Sequence, residues 1–238
     1  MTMRILLTLV AVAPNFIHAM TFDAKPPLLY LGGKVATSDW AAWEDAMQRF
    51  RIDTVVFGNS PGGDSGTGRR IGAYIRDHAM KTVVAGRCIS ACASMFLGGV
   101  ERQFIAAHRN QPTVLGYHGT YRRNTGERVE RSADYFLSMT DGKMSDDLAR
   151  TFTGLDNQRG ALYFIHRAQV ADDSQALAYL CEGEEDDTRR DKQCVNRKDI
   201  DAVTSGVLTT WELRDVPPWS FEPTRRQRER GVTIKSWD

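Results

Sequence analysis

Two stretches decide the fold: Thr54-Val55-Val56-Phe57-Gly58-Asn59-Ser60-Pro61-Gly62-Gly63, and further on Thr82-Val83-Val84-Ala85-Gly86-Arg87-Cys88-Ile89-Ser90-Ala91-Cys92-Ala93. Each opens on a continuous run of β-branched and apolar residues, the composition of a strand buried on both faces. Each run then breaks on glycine. A helical stretch follows the first, from about Thr67 to His78, and a helix of small residues follows the second. Strand, helix, strand, helix with short links predicts βαβ units and a mostly parallel sheet.

The pattern extends in both directions. Pro26 to Gly33 is a short apolar run ending in glycines, which predicts a strand and a turn. Trp40, Trp43, Ala46, Met47 and Phe50 share one face of a predicted helix from Asp39 to Phe50, with Ser38 placed as its N-cap. Downstream, Gln103 to Ala106 and Thr113 to Tyr117 read as short strands, and Ser132 to Phe152 and Asp156 to Gln169 read as helical. The segment from Cys181 to Cys194 encloses an acidic and then basic run, a solvated loop. From Pro217 the chain continues as a polar tail carrying Arg225, Arg226, Arg228 and Arg230. The sequence contains no internal repeat and no low-complexity tract.

Composition narrows the function classes. The 238 residues are 42% hydrophobic and 26% charged, with 31 Lys+Arg against 30 Asp+Glu. That balance is globular and near neutral, so there is no global electrostatic case for nucleic-acid binding. Arg4 followed by the apolar run Ile5 to Ala13, with a small residue at Ala19, reads as a secretory signal peptide over residues 1–19. Export to the periplasm or outside the cell is therefore expected, with no membrane-spanning segment after its removal and with disulfides permitted.

Three features could carry chemistry. The glycines of Asn59-Ser60-Pro61-Gly62-Gly63 allow a sharp turn that leaves N–H groups open to an oxyanion. Ser90 lies on the next strand-to-helix turn, where the helix dipole and the following amide favour developing negative charge; a plain N-cap is the competing reading. His118 closes the run Val114-Leu115-Gly116-Tyr117 and is placed as a general base. His78 is read at a helix end and His166 within a helix.

This order of elements, with Asn-Ser-Pro-Gly-Gly, Gly-x-x-x-Ser-Ala and a strand ending in His, resembles the Clp peptidase group of the ClpP/crotonase superfamily. Within it, the exported ClpP-like proteins of bacteria with a Gly-x-Cys-x-Ser-Ala-Cys element are the more similar. The resemblance spans roughly residues 28 to 210 and is specific from 54 to 118. It implies an α/β fold of repeated β-β-α spiral units, with a ClpP/crotonase-like domain over residues 20–214, an insertion over 182–195 and an extended tail over 215–238. It further implies a serine peptidase acting on peptide or protein substrates, with Ser90 as nucleophile, His118 as base and the N–H groups of Gly63 and Ala91 as oxyanion donors. For the triad acid it points to Asp173, with Asp172 and Asp191 as rivals. The family's closing helix and strand match Asp201 to Leu208. A homo-oligomer is implied, while no cofactor, no metal and, outside the cytosol, no ATPase partner are expected. A catalytically inactive ClpP-like binding or assembly protein is the alternative.

Given export, Cys181 and Cys194 are expected to form a disulfide closing the polar loop. Cys88 and Cys92 flank Ser90; the sequence leaves open whether they bond or pack as thiols, since regular helical geometry is poor for a bridge at that spacing. No second pair of ligands has the spacing of a zinc site.

Overall fold

The structure is a computed structural model and describes residues 20–106, 113–122, 124–155, 160–166, 177–181 and 194–217. The expected signal peptide, the interior of the Cys181–Cys194 loop and the tail beyond Pro217 lie outside these residues.

Among the described residues, two five-stranded sheets form the framework. The first contains β1 (Thr21–Lys25), β2 (Leu28–Gly32), β3 (Thr54–Phe57), β4 (Lys81–Val84) and β6 (Arg102–Phe104), in that spatial order. β2, β3, β4 and β6 run parallel, and β1 pairs antiparallel with β2. The second sheet is ordered β12 (Val195–Asn196), β11 (Ala178–Cys181), β10 (Ala161–Ile165), β7 (Val114–Tyr117) and β5 (Arg87–Ile89). Its pairings are antiparallel except for β5 with β7. The architecture is thus mixed α/β. The expectation of a mostly parallel sheet holds for the first sheet and is corrected for the second.

The helices are α1 (Asp39–Arg49), α2 (Ser65–Asp77), α3 (Ala91–Leu97), α4 (Asp134–Met139) and α5 (Asp146–Gly154). A small hairpin, β8 (Thr120–Tyr121) with β9 (Arg128–Val129), follows His118. After β4 the chain passes to β5 in the second sheet and then into α3. After β6 it passes to β7 and, beyond the hairpin, into α4. α3 is buried along its whole length, which is why this segment is built from Ala, Ser, Cys and apolar side chains.

The aromatic core joins helices to the second sheet. Tyr117 stacks on Phe152 with ring centroids 4.2 Å apart, and Phe136 and Phe164 meet Tyr117 edge-on. Burial pushes the Tyr117 phenol far up, and its hydroxyl donates to the Ala93 carbonyl at 3.4 Å.

Several local expectations are revised. The stretch read as one helix over 132–152 divides into α4 and α5, because Asp141 (φ 55°) and Gly142 (φ 72°) turn the chain through left-handed conformations between them. Residues 161–165, read as helical, form β10: Ala-Leu-Tyr-Phe-Ile pairs with β7 on one side and β11 on the other. His166 therefore follows a strand, and its Nε2 meets the Trp211 carbonyl at 2.9 Å. Asp201 to Leu208 is a turn rather than a helix and strand. There the Asp201 carboxylate accepts from the Val203 and Thr204 N–H groups. Ser38 makes no side-chain cap to α1; instead the buried Asp39 carboxylate accepts from the N–H groups of Ala36 and Met20.

Arg102 ties this turn to the first sheet. Only 1% exposed, it donates through Nε and Nη2 to the Gly206 carbonyl at 3.2 and 2.8 Å, and through Nη1 to the Gly99 carbonyl. Burial pushes its pKa down to about 10, with Arg76 adding to the shift. Arg102→Met fills similar volume but leaves both carbonyls without this donor. It is expected to lower unfolding stability by roughly 3 kcal/mol, read by urea denaturation. A loss below about 0.5 kcal/mol would contradict this role.

Candidate active site

Ser90 stands between β5 and α3 with φ 59° and ψ −121°. A non-glycine residue in such a conformation costs on the order of 1–3 kcal/mol and persists only where its neighbours over-determine it. They do so here. The Ser90 N–H donates to the Gly116 carbonyl of β7 at 2.8 Å, and the Ile89 N–H donates to the Ser60 carbonyl at 3.1 Å. The Ser90 carbonyl accepts from Ser94 at 3.0 Å, and Cys88 and Cys92 are bonded across the bend with Cα atoms 5.2 Å apart. The hydroxyl makes no cap bond to α3, so the N-cap reading of this side chain is not what the structure contains.

The Gly62-Gly63 turn abuts this bend. Gly62 has φ 81°, and a β-carbon there would fall 2.6 Å from that of Ser90 and 2.5 Å from the Ile89 carbonyl oxygen. Only glycine permits that approach. Val35 donates to the Gly62 carbonyl at 2.9 Å and accepts from Asp64 at 3.0 Å. With both of those groups facing Val35, the Gly63 N–H points the other way, as alternation along an extended chain requires. Neither the Gly63 N–H nor the Ala91 N–H has a hydrogen-bond partner among the described residues.

His118 follows β7 directly. Its Nδ1 lies 2.6 Å from the Gly119 carbonyl oxygen. A carbonyl can only accept, so Nδ1 carries the proton and Nε2 keeps its lone pair. Burial pushes the ring's pKa down, against the smaller opposing effect of the Gly119 bond, and so favours the neutral imidazole. Ser90, Ala91 and His118 line one small cleft, partly open to solvent, together with Ser65 and Arg69 of α2 and Phe136 of α4. Among the described residues no hydrogen bond joins the Ser90 hydroxyl to His118, and no carboxylate reaches the ring. Catalytic bonds of this kind are often long in a free enzyme and tighten on substrate.

Asp173, Asp172 and Asp191 lie outside the described residues. Cys181 and Cys194 are bonded, with Cα atoms 4.3 Å apart. Arg69 and Phe136 were not singled out by the sequence. Each lies on an amphipathic helix whose pattern gives a buried face but not what that face meets.

No protein-family model matches this chain, and no curated protein matches it. Among solved structures it is similar to a mutant of the 1510-N membrane-bound stomatin-specific protease, at 15% identity over 52% of this chain and 67% of that one, with a TM-score of 0.38. It is similar also to an enoyl-CoA hydratase from Mycobacterium marinum, at 12% identity over 62% and 71% of the two chains, TM-score 0.38. A probable enoyl-CoA hydratase from Mycobacterium tuberculosis gives 13% identity over 62% and 69%, again at 0.38. Likeness at this level carries no argument about the site, whose chemistry follows from its own residues.

His118 is expected to titrate below the ordinary histidine value of 6.5. A folded-state pKa under the unfolded value means the unfolded chain binds more protons between the two. The contribution to stability is therefore complete above about pH 6.5 and is lost as pH falls through that value toward the folded pKa. The Cε1 proton resonance of His118, followed by NMR, should give a midpoint under 6.5; one above it would contradict the burial argument.

Proposed function

We propose that this chain is an exported serine peptidase of ClpP-like fold, hydrolysing peptide bonds through Ser90 and His118 with Asp173 as the acid. One observation carries the reading: a serine held at positive φ on a strand-to-helix bend shares a cleft with a neutral histidine whose lone pair is on Nε2. The passage β4, β5, α3 and then β6, β7, α4, with strands alternating between two sheets, supports the repeated β-β-α architecture. Two disulfides are compatible with a compartment outside the cytosol, and among the described residues no helix is long and apolar enough to cross a membrane.

The chemistry is acyl transfer to water. The Ser90 Oγ attacks the scissile carbonyl while His118 Nε2 takes its proton. The tetrahedral oxyanion is held by the Gly63 and Ala91 N–H groups, and collapse expels the amine, which receives the proton from His118. A water, deprotonated by the same nitrogen, then releases the acyl group and regenerates the Ser90 hydroxyl. A homo-oligomer with a peptide or protein substrate, and with no nucleic acid, cofactor or ATPase partner, completes the proposal. The second reading, a catalytically inactive ClpP-like binding or assembly protein, draws on the missing hydrogen bond between Ser90 and His118.

A neutral alkyl fluorophosphonate separates the two. Wild type should be labelled and Ser90→Ala should not. His118→Ala should slow labelling on the order of 100- to 10,000-fold, the range of a general base. Labelling that survives in Ser90→Ala would move the nucleophile elsewhere, and no labelling of folded wild type would favour the binding protein.

A further inference from the structure

The Ser90 cleft contains a cation that the proposed chemistry does not use. Arg69 projects from α2, one turn after Ser65, and both line the cleft beside Ser90. It is partly buried, and that burial lowers its pKa, as does Arg131 nearby; the opposing influence is Tyr135, a phenol. No carboxylate pairs with Arg69 among the described residues. The guanidinium lies over aromatic rings instead, with its carbon 5.1 Å from the Tyr135 centroid and 5.4 Å from that of Phe136.

Those ring contacts do not occupy the five N–H donors of the guanidinium. Phe136 also walls the cleft, so an anion arriving there would meet the guanidinium in a partly desolvated setting, where a charged hydrogen bond is worth more than at an open surface. Structural arginines in this protein are treated differently. Arg102 has its N–H groups turned onto the Gly99 and Gly206 carbonyls, Arg76 donates to the Met139 carbonyl, and Arg197 holds Asp199 with two bonds. Arg69 makes no such bond among the described residues and faces the space where a substrate would lie.

We infer that Arg69 is a specificity-determining residue that binds a substrate carboxylate beside the bond presented to Ser90. The site therefore takes acidic peptides, the carboxylate being an Asp or Glu side chain or a free chain terminus. The inference rests on the reading of this cleft as a peptide site, but it does not require that Ser90 be the nucleophile. The contact is a bidentate pair of N–H donors on two carboxylate oxygens.

The test is binding in the full-length Ser90→Ala background, which keeps catalysis out of the measurement. Fluorescein-labelled hexapeptides with an amidated C-terminus and a single central Glu or Gln are compared by anisotropy, alongside the Gln peptide with a free carboxylate. The expected result is that one carboxylate-bearing peptide binds on the order of ten- to a hundredfold more tightly than the amidated Gln peptide, the range of a hydrogen bond to a charged group. Which of the two gains identifies the source as side chain or chain terminus. The preference should vanish in Arg69→Gln and shrink in Arg69→Lys, which keeps the charge without the planar fork. It should also weaken with added salt.

A preference that persists unchanged in both variants overturns the inference. So does equal binding of all peptides to a protein with Arg69 intact. Should Arg69→Gln melt early, the Arg69→Lys comparison still decides. Labelling of the wild type by the neutral fluorophosphonate reports separately on the peptidase reading: its absence would remove the peptidase while leaving the carboxylate test intact.

Discussion

The strained backbone of Ser90 is the constraint on which the rest of the site depends. Its φ of 59° places the hydroxyl on a sharp bend instead of in a helix cap, and no local preference of serine favours that conformation. The compensation comes from three directions. β7 receives the Ser90 N–H, the Ser60 segment pairs with the strand leading into the bend, and the Cys88–Cys92 bond closes the bend itself. In the chain-entropy picture a bridge across so short a loop contributes about 2 kcal/mol, the same order as the 1–3 kcal/mol of an unfavourable φ. A cysteine on either side of the serine thus has a mechanical reason that helical spacing alone does not reveal.

The same geometry links the two sheets. Gly62 must lie against the Ser90 β-carbon, and Gly63 must pass the Val35 carbonyl so closely that no side chain fits. Helix α2, which starts just after this turn with Asp64 capping its Thr67 N–H at 2.7 Å, is drawn onto α3 for a related reason: a β-carbon on Gly68 would meet the Ala91 carbonyl at 2.7 Å. That proximity carries Ser65 and Arg69 to the cleft. Positioning of the cation and shaping of the bend therefore both depend on close packing at glycines, Gly62 against Ser90 and Gly68 against Ala91. Substituting the glycines would disturb both at once.

How much of this was legible in the sequence follows from which interactions are local. The strands at Thr54–Phe57 and Lys81–Val84 were readable because a run buried on both faces has to be continuously apolar. The turns at Gly62 and Ser90 were readable because glycine and small residues punctuate them. β10 was misread because Ala-Leu-Tyr-Phe-Ile fits a buried helix as well as a strand, and only its pairing with β7 and β11 distinguishes them. The break between α4 and α5 was missed because Asp141 takes a left-handed conformation that its type tolerates but does not announce. Arg69 was invisible for a different reason. The sequence shows one more basic residue on a helix, and its value lies in the absence of a carboxylate partner among the described residues and the presence of Tyr135 and Phe136, relations that exist only after folding.

The contact of His118 with Gly119 changes what an acid would have to do. In a serine–histidine–carboxylate site the carboxylate has two duties, to hold the ring in the tautomer with Nδ1 protonated and to stabilise the imidazolium that forms. Here the Gly119 carbonyl already performs the first, at 2.6 Å, from the residue next in the chain. A carboxylate approaching Nδ1 would have to displace or share that bond, and the tautomer would be the same before and after. What it would add is charge. A half-buried ring with a depressed pKa makes a weak resting base that gains most from a negative partner at the moment it becomes cationic.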